Sequence, residues 1–268
     1  MKIALVLVNY YKEKDLAAFI KQYLISQVGC DLEVYIVDNG SRDRNILVDV
    51  STNMNFVHLI EPGRNTGYIG AAALAYNQLK SEGILPDLFV LSNFDLQMDR
   101  IHFFERLTRS FLATGAACVA PAIRSGRSGR NLNPYYVQRI APAKLRRLVR
   151  ITSWYPIYLF YQFLHILKGF FIKGSESQAT EIYAPHGSFM ALHRTYFDRG
   201  ADLNYGSFLY GEELFVAEML RSHNLRAVYD PELELIHDEH TTTGVVKTAA
   251  HMRYLHESLV YLYKNFFQ

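Results

Sequence analysis

Asp95 closes a short polar stretch, Ser92-Asn93-Phe94-Asp95, that follows the apolar run Leu88-Phe89-Val90-Leu91. A run of that length reads as a buried strand. A carboxylate just past a strand's carboxyl end stands where open α/β sheets bind ligands. There it suits a divalent cation held against a phosphorylated ligand; the alternative is a cap on the helix that starts near Asp99. Two other apolar runs end the same way. Leu32-Glu33-Val34-Tyr35-Ile36-Val37 stops at Asp38-Asn39-Gly40-Ser41, and Phe56-Val57-His58-Leu59-Ile60 stops at a loop carrying Arg64 and Gly67. Further on, Glu212 and Glu213 head an acidic-first helix, where dipole stabilisation is the simplest role. His237 follows the last apolar run, in His237-Asp238-Glu239-His240.

These groups need elements to carry them. The continuous apolar run Ile3-Ala4-Leu5-Val6-Leu7-Val8 predicts a central strand of a parallel sheet, with Asn9 and Tyr10 in the loop after it. Helices are predicted over 15–27, 68–79, 100–112 and from Glu212, and strands over 117–120, 185–192, 226–229 and 233–236. Alternation of strands and helices at this spacing argues for an α/β fold with a mostly parallel sheet. Right-handed crossovers then bring the strand-end loops, with Asp38, Arg64 and Asp95, to one rim. The helix at 68–79 is rich in Gly and Ala, which allows close contact with the sheet.

The 268 residues carry a net charge of +2, with half the chain hydrophobic and a fifth charged, a composition that buries a normal core. Residues 124–173 hold ten Lys and Arg, no Asp or Glu, and ten aromatic residues, which leaves −8 for the remainder. Pro156, Gln162, His165 and Lys168 interrupt its apolar run, so it is not a clean membrane span. Basic side chains beside Trp, Tyr and Phe fit an anionic membrane surface; base stacking and a buried insertion helix are the competing readings, and nucleic acid is the least favoured. Cys30 and Cys118 lack metal-type spacing and read as buried free thiols of a reducing compartment. The first apolar run is too short for a signal-peptide core, so a cytosolic protein is expected. No linker divides the chain: one domain over 1–268, with an insertion at 124–180 and a C-terminal helix at 245–268.

Taken in order, the strand-end residues resemble the family 2 glycosyltransferases of the GT-A fold. Val37-Asp38-Asn39-Gly40-Ser41 is similar to that family's nucleotide-binding turn. Gly63-Arg64-Asn65-Thr66-Gly67-Tyr68-Ile69-Gly70 is similar to its N-x-G-x-x-G loop and helix. Ser92-Asn93-Phe94-Asp95 occupies the place of its metal motif, Gly187 with Arg194 that of its G…R strand, Glu212-Glu213 that of its acidic pair, and Pro231 with His237 that of its closing P…H. Each motif alone is common; six in order are specific. The nearest likeness is to bacterial enzymes of capsule or O-antigen synthesis.

The resemblance implies an inverting transfer from a nucleotide-sugar, UDP- or dTDP-linked, to a lipid-linked saccharide. It implies that Asp38, Val8, Asn9, Tyr10, Gly67 and Asn93 bind the nucleotide, with Arg64 along its diphosphate, and that Asp95, with His237, holds Mn2+ or Mg2+. Glu213 would be the base and Glu212 its alternate, although the family usually has Asp at that position. His186, Gly187 and Tyr210 would flank the two sugars. The expected location is peripheral, on the inner face of the cytoplasmic membrane, with an oligomer left open. A nucleotidyltransferase is the runner-up, but Asn9-Tyr10-Tyr11-Lys12 stands where its glycine-rich loop belongs. A non-catalytic partner of another transferase would lack the acidic pair or the metal residue.

Overall fold

The computed structural model describes residues 1–159, 180–238 and 249–268. Phe160, Tyr161, Phe163, Phe170 and Phe171 of the basic-aromatic segment lie outside the described residues, as do Glu239, His240, the threonines after them and the start of the expected helix at 245.

The strands are β1 (Lys2–Asn9), β2 (Asp31–Asp38), β3 (Val57–Ile60), β4 (Leu88–Ser92), β5 (Leu96–Gln97), β6 (Cys118–Ser125), β7 (Thr180–Ile182), β8 (Phe189–His193) and β9 (Ala227–His237). They form one sheet in the order β3-β2-β1-β4-β8-β6-β9-β5, with β7 also on β9. The first four strands pair in parallel, as expected of sequential βαβ units. Both faces of this half are covered: Ala4 and Val6 point into one core, Ile3, Leu5 and Leu7 into the other. That is why β1 is apolar from Ile3 to Val8.

Beyond β4 the mostly parallel sheet takes in antiparallel strands. β8 runs antiparallel between β4 and β6, and β5 and β7 run antiparallel to β9. Residues 226–229 and 233–236, expected as two strands, are one strand, β9. Its partner β6 shifts register between Pro121 and Ala122, so that Asp230 is followed in the ladder by Glu234. The bulge takes up Pro231, which has no N–H to give the ladder. The sheet also curls. The chain leaves its centre at Ser92 and, at Leu96, pairs with His237 on the far strand β9.

The helices are α1 (Glu13–Phe19), continued by a π turn (Ile20–Leu24), α2 (Arg44–Asn53), α3 (Tyr68–Ser81), α4 (Phe103–Thr114), α5 (Pro142–Thr152), α6 (Arg194–Asp198), α7 (Glu212–Ser222) and α8 (Ala249–Phe266). Ala71, Ala72 and Ala75 of α3 are fully buried against the sheet, the close approach that small side chains permit. α5 opens on Pro142 at its first turn, where a missing N–H costs no intrahelical bond. It packs on α8 and buries Leu145, while Lys144, Arg146, Arg147 and Arg150 are exposed. The segment before α5 is tied down by Arg139, whose Nε donates to the fully buried Glu218 of α7 at 2.7 Å and whose Nη2 donates to the Phe266 carbonyl at 2.6 Å. Among the described residues, no helix is long and apolar enough to cross a membrane. Cys118 is buried as expected, which pushes its thiol up to about 12, whereas Cys30 is only half-buried.

Candidate active site

The end of β1 meets the end of β2 through one side chain. Asn9 is fully buried, and its Nδ2 donates to Asp38 Oδ1 at 2.9 Å and to the Gly40 carbonyl at 3.1 Å. Asp38 also accepts from Gly40 N and from Ser41 Oγ, at 3.1 and 2.7 Å. An ionised carboxylate has about four lone-pair directions, so the turn uses three and leaves room for one more donor. Asn39 then binds the next loop. Its Oδ1 accepts from Thr66 N and Oγ1, and its Nδ2 donates to the Gly67 carbonyl at 2.9 Å. Gly67 is buried with φ of 77°, and a Cβ there would lie 2.2 Å from the Phe208 carbonyl oxygen. The structure therefore places Asn9 and Gly67 in the wall of the rim rather than on its open surface. Arg64 is exposed on the same loop, and among the described residues its guanidinium has no hydrogen-bond or ion-pair partner.

Four of the expected residues, Val8, Tyr10, Asn93 and Asp95, line one cavity of about 430 Å³ that extends under α1 to Phe19 and Tyr23. Asp38 and Arg64 lie outside its lining. The curl of the sheet delivers His237 to Asp95: the imidazole Nε2 stands 3.2 Å from Asp95 Oδ1. That Oδ1 is buried and makes no hydrogen bond among the described residues. A buried carboxylate oxygen beside an imidazole nitrogen is a fitting pair of cation ligands, with the imidazole better suited to Mn2+ than to Mg2+. Among the described residues no three acidic, His or Cys side chains converge into a cage.

Asn93 extends the β4–β8 ladder by donating to the Ser188 carbonyl at 2.8 Å, which sets His186 beside the Asp95–His237 pair. The His186 and His237 rings lie 6.1 Å apart, edge to face. Gly187 in turn meets the acidic pair. Glu213 accepts from the Gly187 N–H, and a Cβ on Gly187 would lie 2.6 Å from Glu213 Oε1. Tyr210 and Gly211 both take left-handed backbone, φ 70° and 80°, which turns the chain sharply into α7. The buried Ser258 of α8 holds that turn by donating to the Tyr210 carbonyl at 2.7 Å, and Tyr210 N donates to Glu212 Oε1 at 3.0 Å.

Burial, then the charge of Glu213, pushes the Glu212 carboxyl up to about 8, and burial also raises Glu213. Two adjacent carboxyls resist double ionisation, so the pair holds a proton above the ordinary carboxylate range. The folded pKa of Glu212 is raised above that of the unfolded chain, so its contribution to stability is complete below 4.5 and is lost as pH rises towards 8. The melting temperature is expected to fall across that interval, and Glu212→Gln to flatten the fall in a calorimetric pH series.

The sequence reading passed over two side chains here. Tyr68, the first residue of α3, counted only as the start of an Ala-rich helix. Its hydroxyl is buried within reach of the charges of Glu212, Asp95 and Glu213. Tyr135 counted only as one aromatic of the basic segment. Its ring packs edge-on against His186 at 5.9 Å, and the charge of Glu213 raises its phenol. The signal available for both was an aromatic residue next to a motif glycine or a motif histidine in space, which spacing does not reveal.

A model of Glycosyl transferase family 2 matches residues 5–200. Among solved structures, GalNAc-T7 with UDP, GalNAc and Mn2+ is similar with a TM-score of 0.58 at 12% identity, covering 89% of this chain and 44% of that one. Mannosyltransferase PcManGT from Pyrobaculum calidifontis, with GDP-Man and Mn2+, gives 0.56 at 12% over 90% and 58%. TarS of S. aureus gives 0.53 at 11% over 99% and 44%. This chain thus spans about half the length of these proteins, and at such identities the likeness is one of fold. No curated protein matches the sequence. With the family model covering well over half of its length and glycosyltransferases as its structural neighbours, the chain belongs to glycosyl transferase family 2 and has the GT-A fold.

Proposed function

We propose that this protein transfers a sugar from a nucleoside-diphosphate donor, a UDP- or dTDP-sugar, to a hydroxyl of a lipid-linked saccharide, with inversion at the anomeric carbon. The observation that carries the reading is the convergence of two chemistries. Asp95 and His237 stand 3.2 Å apart, and Gly187, next to the Ser188 carbonyl that accepts from Asn93 N, holds Glu213. One group serves a departing diphosphate; the other serves an incoming alcohol.

Each residue then has a task. Asp38 offers its remaining acceptor direction to an N–H of the base or to a ribose hydroxyl, bordered by Val8, Asn9 and Tyr10. Arg64 and Asn93 border the diphosphate, where a guanidinium pairs well with phosphate oxygens. Asp95 and His237 would hold Mn2+ or Mg2+, which supplies positive charge against the charge developing on the leaving diphosphate. Ionised Glu213, aimed by the Gly187 N–H, takes the proton of the acceptor hydroxyl as that oxygen attacks the anomeric carbon from the face opposite the diphosphate. His186 and Tyr210 flank the sugars. The UDP, GDP-Man and Mn2+ complexes of the neighbouring structures support this use of the rim.

The acceptor side draws on α5. Its exposed Lys144, Arg146, Arg147 and Arg150 lie just before Trp154, which is 60% exposed, and Ile157 and Leu159, which are 43% and 42% exposed. Cationic side chains beside exposed indole and aliphatic groups suit anionic headgroups. A place on the inner face of the cytoplasmic membrane, in capsule or O-antigen synthesis, follows from this surface and the family resemblance. The test is a screen of diphosphate release from UDP-, dTDP- and GDP-sugars with and without Mn2+, paired with flotation on phosphatidylglycerol vesicles. Release from none of them overturns the reading; release without flotation overturns only the membrane part.

A further inference from the structure

Four rings form a row that leads out of the site. The His237 and His186 rings lie 6.1 Å apart, His186 and Tyr135 5.9 Å, and Tyr135 and Tyr136 4.9 Å, each pair edge to face. Lys144 Nζ of α5 stands 5.6 Å from the centre of the Tyr136 ring. The row thus joins the Asp95–His237 pair to the basic helix. Exposure rises along it, from 14% for the His237 side chain to 44% for Tyr135.

The backbone under Tyr135 is fixed on both sides. The buried Asn133 accepts from His186 N at 3.0 Å through Oδ1 and donates to the Pro121 carbonyl at 2.8 Å through Nδ2. Tyr136 N donates to the Ala184 carbonyl at 3.2 Å, and Ala184 N donates to the Tyr136 carbonyl at 2.9 Å. None of this anchoring uses the Tyr135 side chain, whose ring stays open to solvent on a rigid base. A single exposed apolar side chain is ordinary; this one stands in a row that starts at the candidate metal pair.

The row also passes the candidate base. His186 is followed in the chain by Gly187, whose N–H holds Glu213. On the transfer reading the donor's diphosphate lies at the Asp95–His237 end, and the acceptor hydroxyl comes to Glu213. The rest of a lipid-linked acceptor then runs towards α5, where Lys144, Arg146, Arg147 and Arg150 are exposed. Tyr135 is the exposed ring on that course. The face of an aromatic ring is electron-rich, so it attracts the C–H groups of a sugar and holds that sugar without a charged partner.

We propose that the Tyr135 ring stacks on a sugar of the acceptor and so holds that saccharide between the Glu213 loop and α5. The inference rests on the glycosyl-transfer reading above. A contact to the donor sugar is the competing role, and the KM for the donor separates the two.

The experiment compares the protein with Tyr135→Phe, which keeps the ring, and Tyr135→Leu, which keeps apolar bulk without a ring face. The donor is the one preferred in the donor screen. The acceptors are the octyl glycosides of glucose, galactose, N-acetylglucosamine and N-acetylgalactosamine. Melting temperature, donor KM, and kcat and KM for the best glycoside are measured. For Tyr135→Leu the expected melting temperature is within about two degrees of wild type. Its glycoside KM is expected to rise about three- to tenfold, with donor KM and kcat within about twofold. Tyr135→Phe is expected to restore the glycoside KM to within about twofold of wild type. An unchanged glycoside KM in Tyr135→Leu, or an equal rise in Tyr135→Phe, would show that the ring face is not the contact and overturn the proposal. A matching rise in donor KM would assign the ring to the donor, and a fall of several degrees in melting temperature would make its role structural; either overturns the proposal. A wild-type protein that releases diphosphate but is stimulated by none of the glycosides overturns this inference alone. A wild-type protein inactive on every donor overturns the transfer reading and this inference with it.

Discussion

Glu213→Gln is expected to lower turnover by about 10²- to 10⁴-fold, the range that loss of a general base produces, while UDP affinity in Mn2+ stays within about threefold. The amide is nearly isosteric and its oxygen still accepts from the Gly187 N–H that holds the carboxylate now. What is lost is the ability to take a proton. The pH dependence should change with it. Burial raises Glu213, so the wild-type rate climbs with pH as that carboxyl ionises, and the variant loses the climb. Steady-state kinetics over a pH series with a fixed donor checks both parts. Near-normal turnover in Glu213→Gln would move the base to Glu212, whose proton is held up to about 8.

The second large effect belongs to Asp95. Asp95→Asn keeps the size of the side chain but removes the charge that faces His237 across 3.2 Å. Loss of one of two protein ligands is expected to cost about 10- to 100-fold in metal affinity and at least as much in turnover. Position 93 supplies an amide, not a second carboxylate, and no third acidic or His ligand joins the pair among the described residues. Cation binding is therefore expected to be weak in the nucleotide-free protein and to strengthen when a diphosphate adds its oxygens. Calorimetric titration of Mn2+ with and without UDP shows the coupling directly. Tight Mn2+ binding in the absence of nucleotide, or UDP binding indifferent to chelator, would contradict the assignment of Asp95.

The half of the fold from β1 to β4 was legible because each strand is an apolar run that ends in a turn signal. Burial on both faces writes itself into composition. Asp38, Arg64 and Asp95 could be placed on one rim for the same reason, since strand ends of a parallel half share a side. Strand direction beyond β4 was not legible: Phe189-Met190-Ala191-Leu192 reads the same whichever way it pairs. Nor was β5, two residues long, although its pairing of Leu96 with His237 brings His237 to Asp95. The helix expected over 15–27 ends as a helix at Phe19 and continues as a π turn to Leu24, a change of hydrogen-bond pattern that periodicity does not register.

The family was legible from motif order, and the match over residues 5–200 bears it out. Division of labour within the motifs was not. Asn39 looked like a turn residue and proves to be the buried clamp between two loops. Tyr68 looked like the start of a helix and proves to present a buried hydroxyl near three carboxylates. Both facts depend on contacts between loops about thirty residues apart or more, which no local pattern encodes.

One measurement bears most directly on the claim that Glu213 and the Asp95–His237 pair serve opposite faces of a single sugar. It is the anomeric configuration of the glycoside first formed from an α-linked donor, the one preferred in the donor screen, with methanol supplied as a non-mutarotating acceptor and the product read by proton NMR. The β-glycoside is the predicted product of a single displacement. The α-glycoside would mean that the anomeric carbon is not attacked from the face opposite the diphosphate, and would contradict the roles given to Glu213 and to the metal pair together.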